Sequence, residues 1–182
     1  MIASLGYALC LAALVVRVRT TDALPRDPAR PLAGEPLWLT RVHHAVFAAI
    51  LLGAPVERVV AGGDPAGRVA GLALFAVGVL LYRVGGSALG DALSPFIEPR
   101  AGVALVTHGP YRHLRHPIYL GQALIAIGAP LTLGCRAVLG LTVLVLVVLA
   151  LRIVREEDAL ARTFPDYSRY AATTKRLVPF VY

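Results

Sequence analysis

Leu105-Val106-Thr107-His108-Gly109-Pro110-Tyr111-Arg112-His113-Leu114-Arg115-His116-Pro117-Ile118-Tyr119-Leu120-Gly121 sets a dense polar cluster against the first turn of an apolar run. Arginines, histidines and a tyrosine crowd the residues before Pro117, and Tyr119 already lies inside the run. A buried turn has little use for so much charge and hydrogen-bonding capacity; a ligand site at a membrane surface does. Proline is favoured at the first helical position, where its missing N–H costs nothing, so Pro117 marks a helix start with His116 near the cap. The spare N–H groups of that turn, with the helix dipole, predict an anion site, and Arg112 and Arg115 add charge beside it. The plainer alternative is a basic cluster that only anchors the loop to lipid phosphates.

The rest of the chain supplies the membrane. Of 182 residues 57% are hydrophobic, the mean hydropathy is +0.69, and the apolar residues come in blocks at 2–16, 38–56, 67–84, 117–134 and 137–151. Each block approaches the ~20 residues that cross a bilayer as a helix, and spanning helices satisfy their own backbone groups in lipid. The pattern predicts an all-α polytopic membrane bundle of about five transmembrane helices, in one domain over 1–182, with a C-terminal cytoplasmic helix over 152–175. Leu133 to Arg136 alone separate the last two blocks, which predicts a tight helical hairpin, and Pro130 predicts a kink. The first block has no basic residue before it, so it reads as a spanning helix and not as a signal peptide.

A net charge of +7 suggests nucleic acid, but its distribution argues for a membrane. With five spans, fifteen of the 18 basic residues fall in the first loop, the third loop and the tail, all on one side; Arg58, Arg68 and Arg136 lie opposite. That asymmetry puts the N-terminus outside and the polar motifs in the cytoplasm, facing cytosolic cofactors and membrane lipids; no nucleic-acid partner is expected. Cys10 and Cys135 form no disulfide framework. His43 and His44 are adjacent and His113 and His116 three apart, but no carboxylate–histidine spacing accompanies them, so no metal is expected.

Smaller features divide between packing and function. Gly71, Gly78 and Gly85 recur every seven residues, as do Gly121 and Gly128; small residues on one stripe let spanning helices approach closely. Gly121 could equally give a ligand room beside the backbone. Glu156 and Glu157 read either as acids favoured at a helix start or as a cation site facing the basic loop. Tyr167 and Tyr170 read as interfacial anchors or as walls for an aromatic ring or a cation. Arg176 reads as a topological charge or as a fork for a carboxylate.

Two ordered blocks then carry a resemblance. Leu-Val-Thr-x-Gly-Pro-Tyr-Arg-x-x-Arg-His-Pro-x-Tyr-x-Gly over 105–121, and Glu-Glu-x-x-Leu-x-x-x-Phe-x-x-Tyr-x-x-Tyr over 156–170 followed by Arg176-Leu177-Val178-Pro179, resemble the isoprenylcysteine carboxyl methyltransferase family. That family belongs to a wider set of integral membrane methyltransferases which includes phospholipid N-methyltransferases. The resemblance covers roughly 85–182, which makes 86–182 the cofactor-binding catalytic half and leaves 1–85 as N-terminal transmembrane helices. It implies S-adenosyl-L-methionine as methyl donor, bound by Gly109, Tyr111, Arg115, His116, Pro117, Tyr119, Gly121, Glu156, Glu157, Tyr167 and Tyr170, with Arg176 orienting an acceptor carboxylate. An amine or thiol acceptor must lose a proton, for which His116, His108 and Tyr111 are candidates. The Phe164-Pro165-Asp166-Tyr167 spacing is one residue shorter than in eukaryotic members and resembles bacterial ones, which implies the bacterial inner membrane and relatives that need not act on prenylated proteins; the family resemblance as a whole implies a lipophilic or prenylated substrate. Two other readings remain: a non-enzymatic lipid-binding protein on the same scaffold, and a reductase-like relative using a nicotinamide cofactor.

Overall fold

The computed structural model describes residues 37–64 and 66–177, with Ala8 alone before them. The expected first span at 2–16, Cys10 and most of the first loop lie outside the described residues. Five helices follow: α1 (Leu37–Val60), α2 (Arg68–Leu89), α3 (Pro117–Leu133), α4 (Arg136–Thr163) and the short α5 (Tyr167–Thr173). Single 3-10 turns at Gly90–Ala92 and Gly109–Arg112 punctuate the long connection between α2 and α3. Among the described residues there is no sheet, only one isolated parallel bridge between Leu114 and Lys175.

Leu37–Val60, Arg68–Ala92 and Arg136–Thr163 are each long and apolar enough to cross a membrane; Pro117–Leu133 is apolar but shorter. The chain is thus an integral membrane protein, and of the four expected spans that lie within the described residues three meet the length of a span. Val59, Val69, Leu80, Val143 and Val147 point outward and are exposed, as lipid-facing residues must be.

The glycine stripes do what their spacing predicts. A Cβ placed on Gly78 would lie 2.7 Å from the carbonyl oxygen of Gly121, one on Gly121 2.7 Å from the carbonyl of Gly78, and one on Gly128 2.5 Å from the amide nitrogen of Phe75. α2 and α3 therefore meet backbone to backbone, with Gly71 and Gly85 continuing the seam against Leu131–Thr132 and Ile118. Such contact replaces the hydrophobic drive that lipid removes between helices. It also assigns Gly121 to helix packing. α4 closes the bundle over a core that includes Ile50, Phe75, Ile125, Val145 and Ile153.

The hairpin between α3 and α4 is as tight as its sequence predicts, turning through Gly134 in the left-handed region (φ 74°). The C-terminal segment departs from expectation. A new helix predicted near Arg155 does not form; α4 runs unbroken from Arg136 to Thr163. Residues 152–163 contain no glycine or proline and are rich in strong helix formers, so nothing stops the helix at the apolar edge. Phe164 ends α4 and Asp166 precedes α5. Glu156 and Glu157 therefore sit well inside a helix, where dipole stabilisation at a helix start does not account for them.

Candidate active site

The polar loop and the C-terminal segment are zipped together by their backbones. Arg115 N–H donates to the carbonyl of Lys175 (2.7 Å), His116 N–H to that of Arg176 (3.2 Å), and Lys175 N–H to that of His113 (3.1 Å). Pro117 has no N–H to offer. The cap-position donor expected to await an anion is thus already taken by the tail, and the tail brings Arg176 to the mouth of α3.

Around this zipper the two sequence blocks converge on one carboxylate. Glu157, 13% exposed, accepts from Arg115 Nε at 2.9 Å and from Arg176 at 2.6 Å, while His116 Nε2 lies 3.2 Å away. Its neighbour Glu156 accepts from the Tyr119 hydroxyl at 2.5 Å, with His116 Nδ1 at 3.9 Å. Arg115 also donates to the carbonyls of Ala171 (2.8 Å) and Thr174, so it ties α5 to α4. Hydrogen bonds with an ionised partner are the strong ones, and here two guanidiniums share one acid.

Tyrosines wall this cluster. Tyr170 donates to the carbonyl of Tyr111 at 2.8 Å, and its ring meets that of Tyr167 edge-on, centroids 6.0 Å apart. Tyr167 is only 4% exposed, and its hydroxyl has no hydrogen-bond partner among the described residues. Burial, then the negative charge of Glu156, holds the Tyr111 phenol far above its ordinary range. Burial followed by Glu157 does the same to Tyr167, and burial pushes Tyr170 up to about 12. Each of these phenols is thereby favoured in its protonated form. His108 is exposed at the start of its turn; of the candidate proton acceptors, His116 is the one in the cluster.

The structure therefore gathers Arg115, His116, Tyr119, Glu156, Glu157 and Arg176, with Tyr111, Tyr167 and Tyr170 around them. Pro117 caps α3 behind them. Gly121 faces α2, and Gly109 (φ 58°) shapes the turn that carries Tyr111.

Residues 66–167, more than half of the chain, match the phospholipid methyltransferase family. The chain belongs to that family. The cobalt-zinc-cadmium resistance protein CzcN of Cupriavidus metallidurans is 35% identical over 109 residues, covering 59% of this chain and 49% of that protein. The nickel-cobalt-cadmium resistance protein NccN of Alcaligenes xylosoxydans xylosoxydans is 29% identical over 85 residues, covering 46% of this chain and 40% of that protein. The chain thus spans about half the length or less of these curated relatives. Tyr170 and Arg176 lie beyond the matched residues, and all of α1 lies before them.

Methyltransferases of this family use S-adenosylmethionine, and the residues present fit it. A zwitterionic methionine end needs an acid and a set of donors, which Glu156 and the two arginines offer. A flat base needs an aromatic wall with a polar atom to spare, and the buried, unbonded Tyr167 hydroxyl is one. A lone buried hydroxyl is costly enough to expect a partner.

One part of the neighbourhood is not in the sequence motifs. Arg152, one turn before Glu156, places its guanidinium 6.0 Å from the Tyr119 ring centroid. It donates to Thr40 Oγ1 at 2.6 Å and to the carbonyl of Pro95 at 3.0 Å. An arginine between Leu151 and Ile153 in an apolar run was a visible signal, because charges inside spans are rare and functional.

Proposed function

We propose that the chain is a membrane-embedded, S-adenosylmethionine-dependent methyltransferase whose acceptor is a lipophilic molecule with a short polar nucleophile, of the isoprenylcysteine type. The observation that supports this most is the convergence of Arg115 and His116 from one segment and Arg176 from another on Glu157, at the mouth of an apolar bundle.

When bound, the cofactor supplies an electrophilic methyl carbon on a sulfonium; the new bond forms to the acceptor as the old carbon–sulfur pair leaves on sulfur. The chain's work is placement. Glu157 holds two guanidiniums in fixed positions, so that their remaining donors face a carboxylate without the freedom of long side chains. Glu156, engaged by Tyr119, is the acid best placed for an ammonium. Tyr167 and Tyr170 exclude water beside it. Holding reactants in line and dry can supply ~7–11 kcal/mol of the barrier. A carboxylate acceptor needs no base; an amine or thiol would give its proton to His116. The cofactor enters from the cytosolic end and the acceptor from the bilayer.

Calorimetric titration of the detergent-solubilised protein with S-adenosylhomocysteine tests this. Saturable binding, weakened about tenfold or more in Glu156→Gln and in His116→Ala, is the expected result. Absence of binding by the parent overturns it.

A further inference from the structure

α3 carries three polar side chains, Tyr119, Gln122 and Thr132. Two are spent within the fold, the Tyr119 hydroxyl on Glu156 and the Thr132 hydroxyl on the carbonyl of Gly128. Gln122 is not. Its Oε1 is buried and has no hydrogen-bond partner among the described residues. A glutamine in a membrane helix is ordinarily spent on a bond to a neighbouring helix, and an amide oxygen buried without a donor is costly.

The position of Gln122 shows where a donor would have to come from. Steps of four, three and four residues lead from it to Ala126, Ala129 and Leu133, which are 0%, 0% and 5% exposed. Gln122 therefore heads the stripe of α3 that faces the bundle interior. It is nevertheless only half-buried, so the interior that is closed deeper in is still open at its level. Six residues of helical rise set it ~9 Å along α3 from His116. Helical side chains lean toward the N-terminus of their helix, which carries the amide back toward the Glu156–Glu157 cluster. Val46 and Phe47 of α1, Tyr82 of α2 and Leu177 of the tail pack against the same core while staying partly exposed, which gives this opening apolar walls.

We propose that Gln122 is a specificity residue for the methyl acceptor: its amide oxygen receives an N–H or O–H that the acceptor carries a few atoms inward of its nucleophile. The acceptor is then a lipophile with a secondary amide or a hydroxyl beside its reactive end, and not one whose chain is hydrocarbon up to that end. This rests on the methyl-transfer reading and narrows its substrate class. Gln122 acts by position: it selects which chain lies in the opening and how deep it goes, because a chain without a donor leaves the buried oxygen unsatisfied.

The test titrates the full-length protein in lipid nanodiscs with two matched pairs of probes. N-dodecanoylglycine is set against dodecanoyloxyacetate, in which an ester oxygen replaces the N–H, and 3-hydroxydodecanoate against dodecanoate. S-adenosylhomocysteine is titrated in parallel. The parent binds the donor-bearing member of at least one pair about fivefold or more tightly than its counterpart. Gln122→Met, of similar length but without the amide, binds both members of that pair alike and keeps its affinity for S-adenosylhomocysteine. Equal binding within both pairs by the parent, or a preference that survives in Gln122→Met, overturns the proposal. If Gln122→Met also loses S-adenosylhomocysteine binding, its fold is disturbed and Gln122→Leu decides: equal binding within the pair supports the contact, and a retained preference overturns it. A parent that discriminates within a pair but binds no S-adenosylhomocysteine defeats the methyl-transfer reading and leaves the Gln122 contact standing. A parent that binds S-adenosylhomocysteine without discriminating defeats this inference alone.

Discussion

The bundle carries charge at both ends and uses it in opposite ways. At the end formed by the 61–67 loop and the α3–α4 hairpin, Glu57 caps α4 by accepting from the N–H groups of Ala137 (3.1 Å) and Val138 (2.9 Å). Asp64 pairs with Arg136 at 3.0 Å, and Arg58 donates to the carbonyl of Gly63. Arg136 is 85% exposed there, and each charge meets a nearby group that a loop or a helix end leaves over. At the other end Glu156 and Glu157 are half-buried, Glu157 collects three partners, and Arg152, His43 and Tyr167 retain polar atoms with no hydrogen-bond partner among the described residues. A latch needs its bonds satisfied by the fold alone. A site keeps donors that the fold does not use.

The largest effect concerns which end faces the cytosol. Reporter fusions after Gly62 and after Ala101 are expected to read outside and inside respectively, as the basic-residue asymmetry requires. An inside reading at Gly62 would reverse the two ends and place the candidate site away from its cofactor.

Next comes Glu157→Gln. Removing the shared carboxylate leaves two guanidiniums without their acid, and S-adenosylhomocysteine affinity is expected to fall about tenfold or more. The matching change in the latch, Glu57→Gln, is expected to lower the thermal midpoint and leave that affinity unchanged. If both variants lose affinity alike, the division between latch and site fails.

How far the sequence shows this division differs between the two ends. The helices, the hairpin at Leu133–Arg136 and the seven-residue glycine seams are local periodicities, and local periodicity survives folding. The pairing of the 105–121 and 156–170 blocks was legible as a resemblance. The identity of the bonds was not: Arg176 meets Glu157 only because the tail's backbone runs parallel to residues 113–116, a register no side-chain pattern records. The same is true of Arg152 and Thr40, which lie 112 residues apart. A rise in charge looks like a helix boundary, which is why Glu156 and Glu157 admit a helix-start reading beside the cation-site one; helix propensity carries α4 straight through them.

Tyr167→Phe gives a smaller effect and sharpens the comparison within the site. The hydroxyl bonds nothing among the described residues, so its loss is expected to leave the melting midpoint unchanged or slightly raised, because an unsatisfied buried group disappears. S-adenosylhomocysteine affinity is expected to fall a few-fold in the same variant. A lowered midpoint with unchanged affinity would make Tyr167 part of the scaffold.

The smallest effect belongs to the latch and has a signed pH dependence. Asp64 titrates below its ordinary 3.8, chiefly because the N–H of Ala66 bonds its carboxylate, with Arg136 adding a hydrogen bond and charge. A carboxyl depressed in the fold contributes stability above its unfolded value, and that contribution is lost as the pH falls through the folded one. The midpoint difference between the parent and Asp64→Asn is therefore expected to be constant from neutral pH to about pH 5 and to shrink as the medium becomes more acid. It stays small throughout, since solvent screens exposed pairs, and S-adenosylhomocysteine affinity measured near neutrality is expected not to move. A difference that grows toward acid would mean the carboxylate is disfavoured by the fold, and Asp64 would then be no part of the latch.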